Sequence, residues 1–124
     1  MPILPAPQAP THQLPHASFT SLATPRTGVR ETALWRVRLE AGAEPTRHSV
    51  TREELFFVIS GRARVRFDDA TLEAAAGDVI LIPAEVPFAL GCADGPAVEL
   101  LCCLPVGGQA RLPDGQLFTP PWAQ

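Results

Sequence analysis

Residues 47–61 read RHSVTREELFFVISG, and the second half of that stretch is as β-prone as any part of the chain. Side chains alternate faces along a strand, so Glu54, Phe56 and Val58 share one side, and Leu55, Phe57 and Ile59 the other. Beyond the glutamate both sides are apolar, which predicts a strand covered on both faces, as in a barrel or sandwich core. A carboxylate opening such a strand, with His48 just upstream, is costly to bury by itself. It calls for a dedicated partner or a place at the mouth of a cavity.

The same alternation recurs on either side of this stretch. In TALWRVRLE (32–40), Trp35, Val37 and Leu39 face one way and Arg36, Arg38 and Glu40 the other, the pattern of a strand with one solvated face. After the Ser60–Gly61 turn, Ala63, Val65 and Phe67 oppose Arg62, Arg64 and Arg66. These arginines, with Arg36 and Arg38, either form a basic stripe for an anionic partner or a solvated face among acidic neighbours; the second is the expectation. Asp68–Asp69 suits a hairpin turn, and residues 71–75 return. VILIP (79–83) predicts another doubly covered strand. Further strands are expected at Ala17–Ala23, at 86–90 and at 97–104; in the last, Glu99 faces out and Val98, Leu100, Cys102 and Leu104 face in.

The ends are different. Residues 1–17 hold five prolines in the first sixteen positions and no period, which predicts an extended arm, disordered unless docked. Its His12 and His16 are read as solvated rather than metal-binding. The tail 105–124 also lacks a periodic face but carries Leu117, Phe118 and Trp122, so it is expected to pack on the barrel or on a neighbouring subunit.

Composition narrows the class. The 124 residues allow one domain and one core, here 18–104. Fourteen prolines and nine glycines leave little room for long helices and favour an all-β chain with many turns. A net charge of −3 gives no general attraction to nucleic acid. No apolar run approaches the roughly 20 residues of a membrane span. No signal-peptide pattern opens the chain, and three cysteines, two adjacent, make a poor disulfide framework, so a cytoplasmic location is expected. Eight or more short strands at regular spacing predict a closed barrel or jelly roll.

Two motifs within this pattern resemble those of the cupins, a family of small jelly-roll barrels. Gly42, His48, Glu54 and Gly61 match the first motif, and Gly77 and Pro83 match the second, which ends at Phe88. The resemblance implies a jelly-roll barrel of about eight or more short strands. In metal-bearing cupins three histidines and the glutamate hold one ion. Here Val50 stands at the second histidine position and Phe88 at the third, and Glu85 replaces a glycine. With only His48 and Glu54 left, no metal and no cofactor is expected, because two side chains do not complete a transition-metal sphere.

The implied site is an apolar pocket for a small-molecule ligand, lined by His48, Val50, Glu54, Phe56, Phe88 and Cys102. His48 and Glu54 either form a hydrogen-bonded pair that holds the two strands in register or serve the ligand, and Cys102 is expected as a small buried hydrophobe. The alternative is an enzyme of dioxygenase or isomerase type, using His48 and Glu54 as residual metal ligands or as a metal-free acid/base pair. Apolar residues on the faces turned away from the pocket point to a homodimer.

Overall fold

The structure, a computed structural model, describes residues 3–124. It is an all-β jelly-roll barrel of twelve strands: β1 (His12–Leu14), β2 (Ala17–Ala23), β3 (Thr32–Leu39), β4 (Ser49–Val50), β5 (Glu54–Ser60), β6 (Arg62–Phe67), β7 (Thr71–Ala75), β8 (Val79–Ile82), β9 (Phe88–Cys92), β10 (Val98–Pro105), β11 (Ala110–Arg111) and β12 (Leu117–Phe118). Three antiparallel sheets result, in the orders β1-β2-β3-β10-β5-β8, β7-β6-β9 and β12-β11-β4. The inward side chains of the first two meet in one core, including Trp35, Val37, Phe56, Val58, Val65, Ile82, Phe88 and Leu100. No helix among the described residues is long and apolar enough to cross a membrane.

Alternation sets which face is buried. On β10, Val98, Leu100, Cys102 and Leu104 are all buried, while Glu99, Leu101 and Cys103 are partly exposed, as the sequence pattern predicts. On β5, Glu54, Phe56 and Val58 are buried. The hairpin from β5 to β6 turns on Gly61, whose φ of +78° lies in the left-handed region. A Cβ there would stand 2.7 Å from the Ala97 carbonyl oxygen, so the position admits only glycine.

Two expectations need correction, for the doubly covered strands and for the strand at 86–90, and two readings left open are decided. The strands at β5 and β8 are not doubly covered: Phe57 is 42% exposed and Val79 57%. They belong to the six-stranded sheet, and among the described residues nothing covers their outward side chains fully. The N-terminal arm is docked from Thr11 onward. Thr11 N donates to Phe19 O at 2.9 Å, Ser21 N donates to Thr11 Oγ1 at 3.0 Å, and β1 pairs with β2. Met1 and Pro2 of that arm lie outside the described residues. The strand expected at 86–90 starts instead at Phe88, because Val86 N closes a turn on Pro83 O and Pro87 has no N–H to donate. Finally, the arginines lie on solvated faces among acidic neighbours, the expected one of the two readings, and not in one stripe. Arg36 pairs with Glu99 at 3.0 Å on one sheet, while Arg64 pairs with Glu73 and Arg66 with Glu44 on the other.

The tail 105–124 crosses the barrel. Ala110 and Arg111 on β11 pair with Val50 and Ser49 on β4, and the Trp122 ring stacks on Phe19 with centroids 3.6 Å apart and planes within 5°. Arg111 also reaches Glu85, with Nη2 to Oε2 at 3.2 Å.

Candidate functional site

A cavity of about 280 Å³ lies between the strands of the barrel and the crossing tail. Strands β2 and β3 contribute Phe19, Trp35, Val37 and Leu39; β5 contributes Glu54 and Phe56; β9 contributes Phe88 and Leu90. His48 and Val50 come from the β4 region, and the crossing tail adds Ala110, Leu112, Phe118, Pro120 and Trp122. Five of the six residues expected in a pocket therefore line it: His48, Val50, Glu54, Phe56 and Phe88.

Cys102 is the exception. It is fully buried on the inward face of β10 and lies behind Glu54 rather than on the cavity wall. Its thiol donates to Glu54 Oε2 at 3.0 Å. Glu54 is 5% exposed, and burial pushes its carboxyl from 4.5 up to about 7, against the smaller opposing effect of the thiol hydrogen bond. Burial, together with the adjacent Glu54, in turn pushes the Cys102 thiol well above its ordinary range. The sulfur is thus held as a thiol donor, not a nucleophile. Cys92 and Cys103 are each partly exposed. A disulfide reagent should therefore leave Cys102 unmodified in the native protein and react with it only after denaturation, as counted by mass spectrometry. Native labelling of Cys102 would show that the cavity floor opens.

Of the two readings for His48 and Glu54, the hydrogen-bonded pair is not formed. The His48 Nδ1 lies 2.9 Å from the Thr46 carbonyl oxygen, which can only accept, so Nδ1 carries a proton. In the neutral ring Nε2 is then a free acceptor. The ring is fixed from behind as well. His48 and Phe88 exchange two backbone hydrogen bonds, of 2.9 and 2.8 Å, and their ring centroids lie 4.5 Å apart. One oxygen of Glu54, Oε2, instead accepts the thiol of Cys102 on the neighbouring strand β10.

A family model described as a cupin domain matches residues 35–104. The chain belongs to the cupin family. Among solved structures, this cupin resembles the polyketide cyclase RemF from Streptomyces resistomycificus, with a TM-score of 0.68 at 19% identity over 73% of this chain and 66% of that one. It also resembles a cupin-like protein from Thermotoga maritima (0.65, 24% identity, 71% and 67%) and KdgF from Halomonas sp. (0.66, 15% identity, 79% and 86%). An uncharacterized protein of Methanocaldococcus jannaschii is 30% identical over 53 residues, which are 43% of this cupin and 42% of that relative. The match thus spans less than half of the archaeal protein.

The cavity of this cupin does not fit the four-ligand ion centre that the family resemblance implies. Val50 and Phe88 offer no donor atoms, and one oxygen of Glu54 is taken by a thiol. Burial also favours the protonated carboxyl up to about pH 7, the form that ligates poorly. Among the described residues, no three histidine, cysteine or acidic side chains cluster for a metal.

The sequence reading missed much of the wall. Trp35, Val37 and Leu39 were legible as an inward face, but not as a wall of this cavity. Phe19 came from a strand with no clear alternation. Leu112, Phe118 and Trp122 left one signal, bulky apolar residues in an aperiodic tail.

Proposed function

We propose that this cupin binds a small, mostly apolar molecule inside its barrel, in a sensing or sequestering role and without a resident metal. The cavity carries the reading: it is walled by apolar side chains, with polar side chains only at Thr46, His48 and Glu54. Both tryptophans of the chain are on its wall, so intrinsic fluorescence reports occupancy directly. Titration with the neutral probe N-phenyl-1-naphthylamine should quench tryptophan emission and raise probe emission, saturating at one site per chain. Absence of any saturable change would remove the binding reading.

One observation favours a second reading. A buried carboxyl held near 7 is suited to give or take a proton at neutral pH, so Glu54 could serve as an acid/base group in an enzyme. Glu54→Gln would then abolish turnover while leaving binding of the substrate intact. The likeness to a polyketide cyclase, at 19% identity, supports the fold and leaves the chemistry to these residues.

The outer face supports a dimer. Cross-strand pairing places Leu34, Cys103, Leu55 and Leu81 in one row, and Leu101, Phe57 and Val79 in the next. Such a contiguous apolar patch is uncommon on a monomer. Light scattering after size exclusion should report twice the chain mass, and Phe57→Arg with Leu81→Arg should return the monomer. A parent protein that stays monomeric at all concentrations would end this idea.

A further inference from the structure

We propose that the ligand is a neutral, planar molecule of about two aromatic rings bearing a hydroxyl group, which is held between Glu54 and His48. This rests on the cavity being a binding site and names its ligand class.

Three features lead to it. The first is the distribution of rings. The chain has six phenylalanines and two tryptophans, and all but Phe57 and Phe67 line this cavity. The rings meet at varied angles, with His48 and Phe88 tilted by 46° and Phe56 and Phe88 by 60°. They offer both faces and edges, which suits a flat aromatic guest better than a flexible aliphatic one. The second is size. A dry cavity of about 150 Å³ accepts benzene, so 280 Å³ accommodates about two rings.

The third is the polar end. Glu54 Oε2 already accepts the Cys102 thiol. Oε1 has no protein hydrogen bond, yet among the described residues no buried side-chain nitrogen or oxygen is left without a partner, so Oε1 is open to the cavity that Glu54 lines. Protonated, Glu54 offers a donor there, and neutral His48 offers an acceptor at Nε2. One donor and one acceptor match a hydroxyl, which accepts from the first and gives its proton to the second. No arginine lines the cavity, so an anion would be buried beside a carboxyl with no compensating charge. A cation would require Glu54 to ionise against its burial, and a buried ion pair recovers little of that cost.

The test compares five probes at pH 7 by displacement of N-phenyl-1-naphthylamine: 2-naphthol, naphthalene, 2-naphthoate, 2-(aminomethyl)naphthalene and the saturated decahydro-2-naphthol. 2-Naphthol should bind at least about ten-fold more tightly than each of the others. His48→Phe, which keeps a ring against Phe88 but removes the acceptor, should shrink the advantage of 2-naphthol over naphthalene. Equal or tighter binding of the anion, the cation or the saturated alcohol would overturn the class while leaving the cavity as a binding site. An advantage undiminished in His48→Phe would overturn the placement of the hydroxyl. Failure of the fluorescent probe itself to bind would remove the underlying reading.

Discussion

Val50→His combined with Phe88→His should turn the cavity into a transition-metal site, raising zinc or nickel affinity more than about 100-fold over the parent. Loss of a single supporting group around a metal ligand already costs about 10–100-fold, so two whole ligands should exceed that. The backbone is prepared for the change. Position 50 follows His48 on the same wall, and position 88 is bonded to His48 through both backbone groups. With Glu54, the double variant would present three imidazoles and a carboxyl to one space. Either single change should give much less, because the sphere stays one ligand short. Without metal, Phe88→His should cost about 2–4 kcal/mol, since Phe88 is almost wholly buried and packs on Phe56. Added metal should then recover melting temperature by mass action. A double variant that folds, yet binds metal no better than the parent, would show that these positions do not converge.

Glu54→Gln should stabilise the protein at pH 8.5 and change little near pH 4.5. In the unfolded chain this carboxyl ionises near 4.5, whereas in the native protein burial keeps its proton up to about 7. Between those values the native state holds more protons, so stability falls as pH rises, and the loss levels off above about 7. The full difference is about 3 kcal/mol. Glutamine removes the ionisation but keeps a carbonyl oxygen to accept the Cys102 thiol. Urea unfolding of both proteins across this range measures the effect. A Gln variant less stable than the parent at pH 8.5 would mean that Glu54 is ionised and well solvated in the native state.

Strand alternation made much of this protein legible in advance. The eight longer strands all lie close to segments expected as strands, β3 and β6 from alternation of apolar and polar residues and β5 and β8 from apolar runs bounded by turns, and the inward face of β10 follows directly from Glu99 pointing out. The short strands β1, β4, β11 and β12 left no such trace, since two or three residues are too few to show a period. Their pairing is decided by the larger sheets beside them. For the site, the positions of His48, Val50, Glu54 and Phe88 came from motif spacing, but their hydrogen bonds did not. Glu54 turns to Cys102, on a strand some fifty residues later in the chain, and nothing local in the sequence reports that choice. The apolar outer face of β5 was visible too. Its pattern fits either a covering layer or an exposed patch, and only the strand order separates them.

The position of β10 bears on how the chain reaches this state. It is inserted between β3 and β5, pairing with both along most of its length. The six-stranded sheet therefore cannot grow by adding hairpins in order of synthesis. Until β10 arrives, β3 and β5 each present an open edge rich in apolar side chains, the kind of surface on which chains associate wrongly. Such non-local pairing slows folding into the millisecond-to-second range. Aggregation during refolding should accordingly rise with protein concentration most steeply in this window. Substitutions on β10 should influence refolding yield more than those on the early β1–β2 hairpin.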